Sequence, residues 1–233
     1  MQRLSVVMVH GSYSDTYRQE FAQLLASIAE QLDHAVLGVY LECAVMSATG
    51  AIAQFLQQHP QTTSVQILPL FLLPGVHVRE DIPQAIAPLR EQFPQINITI
   101  LDYLGKDARL APFLTPQFAT YPTAQRILLA HGSRRAGANP EIVALAQSLH
   151  AHPAYWATEP SLATTIAELI PTNPASICVV PYFLFSGKIP LAIATQIEEL
   201  QQTFPNTQFH LGKPFGTAPQ CAQAIAQQLN SYQ

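Results

Sequence analysis

The sequence predicts an α/β protein made of two tandem, similar halves, each a parallel β-sheet with helices on its faces. Three observations lead to this prediction. Short apolar segments of strand length alternate with longer segments of helical period along the chain. The order of segments in the first half recurs in the second. Chemically active side chains follow several predicted strands, which is typical of functional sites in parallel sheets.

The first half opens with a continuous apolar run at residues 4–9, which indicates a strand buried on both faces. A helix is expected next, because apolar residues recur at helical spacing between positions 17 and 32 and Ser14 or Asp15 can cap its start. Further strands are predicted at residues 35–41, 65–71 and 96–101, and further helices at residues 47–57, 81–92, with Asp81 as its cap, and 107–118.

The second half repeats this order. Alternating strands and helices imply right-handed crossovers with helices on both faces of the sheet. The predicted strands lie near residues 127–130, 155–158, 177–183 and 208–211, and a final helix lies at about residues 219–229.

Three pairs of segments define the repeat. His10, Gly11 and Ser12 recur as His131, Gly132 and Ser133, residues 39–42 resemble 156–159, and residues 67–75 resemble 179–187. The second pair matches Glu42 with Glu159. We therefore predict an N-terminal half at residues 1–120 and a C-terminal half at 124–233, with a cleft between them, in a monomer that imitates a dimer.

Composition excludes several classes of protein. A net charge of −4 with 11% charged residues gives no basic stripe for nucleic acid. No apolar run approaches the roughly 20 residues of a membrane span, and the N-terminal apolar stretch lacks a signal-peptide cleavage site, so a cytoplasmic protein is expected. The three cysteines are scattered and without CxxC spacing, so they predict neither a disulfide framework nor a zinc finger.

A metal site is the chemistry that the strand ends favour. The sequence has no phosphate-binding loop, dinucleotide loop, serine-hydrolase elbow or HExxH motif, so no nucleotide is implied. His10, Glu42 and His77 lie at or just beyond three predicted strand ends. Two imidazoles and a carboxylate suit Fe, Co, Ni or Zn, and three protein ligands leave positions open for exchange.

Each of these residues also has a structural interpretation. His10 can bond a backbone carbonyl at a strand end, with Gly11 and Ser12 forming the turn. Glu42 can pair with a lysine or arginine, and His77 can belong to a Pro-Gly turn. The remaining histidines lie in polar or loop contexts.

The motifs around these residues resemble those of the class II chelatases, the sirohydrochlorin cobaltochelatase and ferrochelatase family. The resemblance rests on His10-Gly11-Ser12, on Glu42 before a helix, and on the long motif at residues 70–83, and it spans both halves. It implies insertion of a divalent metal into sirohydrochlorin during siroheme or cobalamin biosynthesis. It also implies that His10, Glu42 and His77 are the metal ligands and the catalytic residues.

The match is weaker in the second half. His131 and Glu159 keep two elements of the motif, but Ile189 stands where His77 does. The resemblance therefore implies one active site, carried by the N-terminal half, with the C-terminal half as the other wall of the cleft.

The metal is expected as a substrate, Co²⁺ or Fe²⁺, with Ni²⁺ sharing the same ligand preference. Sirohydrochlorin is a polycarboxylate, so the few cations of this chain must bind it locally. Ser12, Arg79, Arg134, Arg135 and Lys188 are the predicted substrate-binding residues, with Lys106 and Arg109 as further candidates. A non-enzymatic metal or tetrapyrrole carrier, and a chelatase for another tetrapyrrole such as protoporphyrin, are the alternatives.

Overall fold

The chain folds into two compact units. The structure is a computed structural model that describes residues 2–106, 110–133 and 139–231. Unit 1 comprises Met1–Asp107 together with Cys221–Gln233, and unit 2 comprises Ala108–Gln220. Each unit contains a four-stranded parallel sheet.

The sheet of unit 1 has the strand order β2-β1-β3-β4. Its central strands are β1 and β3, so the ends of β1, β2 and β3 lie side by side at one edge. The elements are β1 (Gln2–Val9), α1 (Asp15–Ala29), β2 (Ala35–Tyr40), α2 (Ala48–Gln58), β3 (Thr62–Pro69), α3 (Ile82–Gln92) and β4 (Asn97–Ile100), and a π-helical turn at His77–Asp81 precedes α3.

Burial on both sheet faces explains the continuous apolar run of β1. Leu4, Val6 and Met8 are fully buried in one cluster with residues of α2 and α3. Val7 and Val9 are also fully buried, and they point to the other face because side chains alternate along a strand. The apolar sides of α2 and α3 cover the first of these faces.

The sheet of unit 2 has the equivalent order, β6-β5-β7-β8. Its hydrophobic core includes Ile127, Leu129, Ile166 and Ile193, which form part of one buried cluster. The remaining elements are α4 (Ala111–Ala119), β5 (Gln125–Ala130), α5 (Pro140–Ser148), β6 (His152–Tyr155), α6 (Leu162–Leu169), β7 (Ser176–Tyr182), α7 (Lys188–Thr203), β8 (Gln208–Leu211) and α8 (Pro219–Ser231).

The predicted α/β architecture of two parallel-sheet halves is confirmed, but the compact units do not follow the repeat. The expected halves, 1–120 and 124–233, assign α4 to the first and α8 to the second, whereas α8 lies almost wholly in unit 1 and α4 in unit 2. Gln66 donates to the carbonyl of Leu229 in α8, and Gln117 in α4 accepts from the backbone of Lys213. The last helix of each repeat therefore completes the unit that contains the other repeat's sheet.

Two local predictions are corrected. The strand expected at residues 155–158 lies earlier, at His152–Tyr155, because Ile127 to Ala130 of β5 pair with those residues. Asp81 makes no capping hydrogen bond at the start of α3, because its backbone is already helical and its carboxylate contacts His77 instead. The start of the helix predicted at 107–118 falls partly outside the described residues.

Among the residues that the structure describes, none forms a helix that is both long and apolar enough to cross a membrane.

Candidate metal centre

Three potential metal ligands meet at the carboxyl edge of the unit 1 sheet. His10 directly follows β1, Glu42 lies two residues beyond β2, and His77 begins the π-helical turn that follows β3. The backbone N–H of Glu42 donates to the carbonyl of His10 at 2.8 Å, which holds the first two segments together. The predicted convergence of these strand ends is therefore found in the structure.

The side chains face one another at distances that suit a shared ion. His10 Nε2 lies 3.7 Å from Glu42 Oε2, and the centroids of the His10 and His77 rings are 4.6 Å apart with an interplanar angle of 72°. One ligand atom from each of the three residues lies within 4.8 Å of the others. The side chains of His10 and Glu42 are 44% and 54% exposed, so the cluster opens to solvent.

Hydrogen bonds fix which ring nitrogen each histidine presents. Nδ1 of His10 lies 3.1 Å from the carbonyl oxygen of Gly11, and Nδ1 of His77 lies 2.6 Å from Oδ2 of Asp81. A carbonyl and a carboxylate can only accept, so each Nδ1 carries the hydrogen. In its neutral form, each ring therefore keeps the Nε2 lone pair available for a metal ion.

The turn after β1 needs glycine. Gly11 has φ +106°, and a Cβ at this position would collide with the carbonyl oxygen of Glu42. Only a residue without a side chain lets the two segments approach this closely. Near this turn, burial raises the pKa of Tyr17 to about 12, although a hydrogen bond with the Gly11 backbone acts in the opposite direction.

Arg18 of α1 links the same two segments. Its Nε donates to the carbonyl of Ser12 at 3.0 Å, and its Nη2 donates to the carbonyl of Cys43 at 3.1 Å. Cys43 has φ +57°, a conformation that is uncommon for residues other than glycine. No pattern in the sequence indicates this role, because an arginine on a helix is usually a solvated charge.

The turn that carries His77 contains one residue more than its counterpart in unit 2. Before the turn, Gly75 and Gly187 are equivalent and lie 112 positions apart. The carbonyl of each accepts a hydrogen bond from the backbone N–H four residues later. Beyond the turn, Phe93 and Phe204 occupy equivalent helix ends 111 positions apart. Because the N–H of Ile82 reaches back five residues to His77, the extra residue lies in the π-helical turn.

The donor set fits an exchangeable divalent ion. Two imidazole nitrogens and one carboxylate oxygen match the preferences of Fe²⁺, Co²⁺, Ni²⁺ and Zn²⁺. Three protein ligands leave coordination positions open, and the solvent-facing side of the cluster gives a second ligand access to them. The donor atoms and their exposure are therefore those expected of a site for an exchangeable metal ion.

The second repeat keeps the shape of the first loop. Nδ1 of His131 lies 3.0 Å from the carbonyl oxygen of Gly132, the same contact that His10 makes with Gly11. The backbone N–H groups that donate to the carbonyls of His10 and His131 belong to Glu42 and Ala157 respectively. Pairing of the backbones therefore makes Ala157, which has no ligand atom in its side chain, the counterpart of Glu42.

The expected match of Glu159 with Glu42 is wrong. The Glu159 carboxylate accepts instead from the backbone of Ser161 and the hydroxyl of Thr164 at the start of α6. These hydrogen bonds lower the pKa of Glu159. With Ile189 in place of His77, the second repeat keeps a counterpart of only one of the three candidate ligands, His131 for His10.

The structure describes three of the five predicted substrate-binding residues, Ser12, Arg79 and Lys188. The hydroxyl of Ser12 accepts from the backbone of Ser14, and Arg79 is exposed in the same turn as His77. Lys188 is the exposed first residue of α7 in unit 2. Arg134 and Arg135 lie outside the described residues, as does Arg109, and Lys106 pairs with Asp102 at 2.7 Å.

Asp81 and Arg18 are the functional candidates that the sequence patterns did not reveal. The four-residue spacing of His77 and Asp81 is a signal that could have identified the first, since residues at this spacing lie on one side of a helix.

Two curated relatives resemble this chain. It is 25% identical over 151 residues to the sirohydrochlorin ferrochelatase of Priestia megaterium, a match that covers 59% of this chain and 57% of that protein. It is 22% identical over 238 residues to the sirohydrochlorin ferrochelatase of Bacillus subtilis strain 168, covering 97% and 90% of the two chains. The chain thus spans little more than half of the first relative and most of the second.

A solved structure has the same fold. SirB from Bacillus subtilis, determined with Fe³⁺, superposes with a TM-score of 0.86 at 20% identity, covering 99% of this chain and 95% of that one. SirB from the subspecies spizizenii, determined in complex with cobalt, gives a TM-score of 0.81 at the same identity and coverage.

The family is settled by a match to both repeats. The CbiX family model matches residues 4–120 and again residues 125–232. Together these two matches cover almost the whole chain. The chain therefore belongs to the CbiX family, in a form that carries two copies of the family's domain.

Proposed function

We propose that this chain inserts a divalent metal ion, Fe²⁺ or Co²⁺, into sirohydrochlorin, and that His10, Glu42 and His77 hold the ion before its transfer. The observation that carries the proposal is the meeting of these three side chains, with their ligand atoms within 4.8 Å, at an exposed sheet edge. Family membership and the two ferrochelatase relatives support the choice of substrate.

Insertion exchanges two pyrrole N–H protons for one divalent ion. Both histidines hold Nδ1 in a hydrogen bond and leave Nε2 available for the ion, so nitrogens of the macrocycle can replace protein ligands one at a time from the solvent side. A displaced imidazole and the Glu42 carboxylate can then accept the two protons, because both groups are bases. They lie in the same cluster, with His10 Nε2 and Glu42 Oε2 3.7 Å apart. No nucleotide enters this scheme.

The carboxylates of the macrocycle need positive partners. Arg79 is the best placed of the described cations, because it is exposed two residues after His77 in the same turn. Ser12, Arg134, Arg135 and Lys188 complete the proposed substrate-binding set.

We further propose that the chain acts as a monomer, because a single chain already contains both copies of the family's domain. The metal ligands bind Ni²⁺ more tightly than Co²⁺, and Co²⁺ more tightly than Fe²⁺, whichever metal is used in the cell. The cytoplasmic location expected from the sequence stays a prediction.

The proposal is tested by mixing a small amount of the protein with a large molar excess of sirohydrochlorin and Co²⁺ or Fe²⁺ without air, and following the visible spectrum. Many turnovers per protein, faster than metal insertion without protein, are expected. Conversion that stops at one equivalent would identify a carrier instead. Faster conversion of protoporphyrin than of sirohydrochlorin would identify protoporphyrin as the better substrate and contradict the proposed one.

A further inference from the structure

Asp81 makes the shortest polar contact at the metal centre. Its Oδ2 lies 2.6 Å from Nδ1 of His77, within the π-helical turn, and the two side chains are 39% and 32% exposed. The other histidine of the cluster, His10, has the neutral carbonyl of Gly11 at its Nδ1, at 3.1 Å. The two histidines are thus held by different kinds of acceptor.

The second repeat lacks both members of this pair. Ile189 stands in place of His77, and no π-helical turn occurs among the described residues of α7, which runs regularly from Lys188 to Thr203. Asp81 corresponds to Ile193 if the repeats are aligned on the residues before the extra one, and to Ala192 if they are aligned on the residues after it. The extra residue, the histidine and the carboxylate therefore occur together in the repeat that holds the metal centre.

We propose that Asp81 is a positioning residue, which acts through His77 to hold its ring with Nε2 directed at the metal ion. That His77 binds the metal ion rests on the proposed function, whereas the contact between Asp81 and His77 is given by the structure alone. The Asp81 carboxylate selects the tautomer with hydrogen on Nδ1 and restricts rotation of the ring. A ligand fixed in this way loses less freedom when the ion binds than a free one.

Three variants separate this role from a general effect of charge. Asp81→Ala removes the acceptor, Asp81→Asn keeps a neutral acceptor, and Glu80→Gln removes one negative charge from the neighbouring position of the same turn. We expect Asp81→Ala to weaken Co²⁺ binding by about 10- to 100-fold, the range typical for loss of a hydrogen-bond partner behind a metal-bound histidine. We expect Asp81→Asn to lie between Asp81→Ala and the unchanged protein, and Glu80→Gln to bind like the unchanged protein.

The metal-free protein supplies an independent measurement. The ¹⁵N chemical shifts of His77 should report hydrogen on Nδ1 in the unchanged protein and a mixture of tautomers in Asp81→Ala, with the shifts of His10 unaltered. Unchanged His77 shifts in Asp81→Ala, or equal losses of Co²⁺ affinity in Asp81→Ala and Glu80→Gln, would overturn the proposal.

The outcome is separable from that of the proposed function. If sirohydrochlorin is not metallated, a changed His77 tautomer with weaker Co²⁺ binding still supports the positioning role. If Asp81→Ala does not fold, the comparison of Asp81→Asn with Glu80→Gln decides, because the Asn side chain preserves size and removes only the charge.

Discussion

The guanidinium of Arg18 donates to the main-chain carbonyl of Cys43, one residue beyond the candidate ligand Glu42. A second nitrogen of the same group donates to the carbonyl of Ser12, two residues beyond His10. A single side chain of α1 therefore fixes the spacing of two loops that supply candidate metal ligands. The positions of the ligands depend on contacts made outside the cluster itself.

Replacing Arg18 with methionine should weaken both stability and metal binding. We expect the free energy of unfolding to fall by about 1–3 kcal/mol, because two hydrogen bonds from a charged donor are lost, and Co²⁺ affinity to fall as the loops separate. Arg90→Met is the matched control, because Arg90 donates twice to the carbonyl of Ile98, away from the cluster. It should lower stability without lowering Co²⁺ affinity; the same loss of affinity in both variants would contradict the linking role.

Removing either histidine should abolish metallation. His10→Ala or His77→Ala removes an imidazole ligand, so we expect Co²⁺ affinity to fall by more than the roughly 10- to 100-fold expected for an outer hydrogen-bond partner. Circular dichroism should show that both variants remain folded. His131→Ala is the control, since His131 makes the same local bond in unit 2. Metallation at the unchanged rate in both histidine variants would show that His10 and His77 are not part of the active site.

The two glutamates that the sequence repeat pairs should behave differently. Glu42→Gln replaces a charged oxygen ligand with a weak one, so Co²⁺ binding and insertion should both decrease. Glu159→Gln should leave both unchanged, because the Glu159 carboxylate is bound to Ser161 and Thr164 in unit 2. Isothermal titration with Co²⁺ compares them directly, and a loss in Glu159→Gln equal to that in Glu42→Gln would contradict the structural pairing of Glu42 with Ala157.

Glu159 should instead contribute to stability in a pH-dependent way. The backbone hydrogen bond from Ser161 and the hydroxyl of Thr164 hold the pKa of Glu159 below its usual value of 4.5. The contribution is therefore complete above pH 4.5 and is lost as the pH falls through the lower pKa of the folded state. Urea unfolding should find Glu159→Gln less stable than the unchanged protein at neutral pH, with the difference disappearing in acid. Glu91→Gln, which removes an exposed carboxylate elsewhere, is the comparison, and a difference that is constant with pH would contradict this origin.

Gly11→Ala should be strongly destabilising. The substitution forces a Cβ into a φ of +106° and against the carbonyl oxygen of Glu42, so we expect a loss of more than about 2 kcal/mol. Gly75→Ala is the control for stability, because a Cβ there meets nothing within 4 Å. Thermal unfolding of both variants measures the difference, and similar melting temperatures would show that the two segments can separate without cost.

The sequence predicted the elements and the place where His10, Glu42 and His77 meet, because strand order along the chain and the parallel sheet fix which loops share an edge. It did not predict the exchange of α4 and α8, since an amphipathic helix shows that it packs but not on which sheet. The match of Glu159 with Glu42 failed because backbone pairing, not the order of residue types, aligns the two repeats.

The extra residue of the π-helical turn also escaped prediction. The turn before α3 is too short for its apolar pattern to show a single inserted residue, yet that residue lies in the turn that holds His77 beside Asp81. The hydrogen bonds of Arg18 depend on tertiary structure in the same way, because its acceptors are main-chain carbonyls that no pattern of side chains reveals.

The position of α8 in unit 1 bears on how the protein is made. During synthesis the ribosome releases residues of unit 2 before it releases α8, so unit 1, which carries the candidate metal ligands, is complete only after its last helix emerges. A ribosome that stops after the first repeat would release a sheet without that helix. Metal binding competence should therefore emerge late in translation, after both copies of the domain have been made.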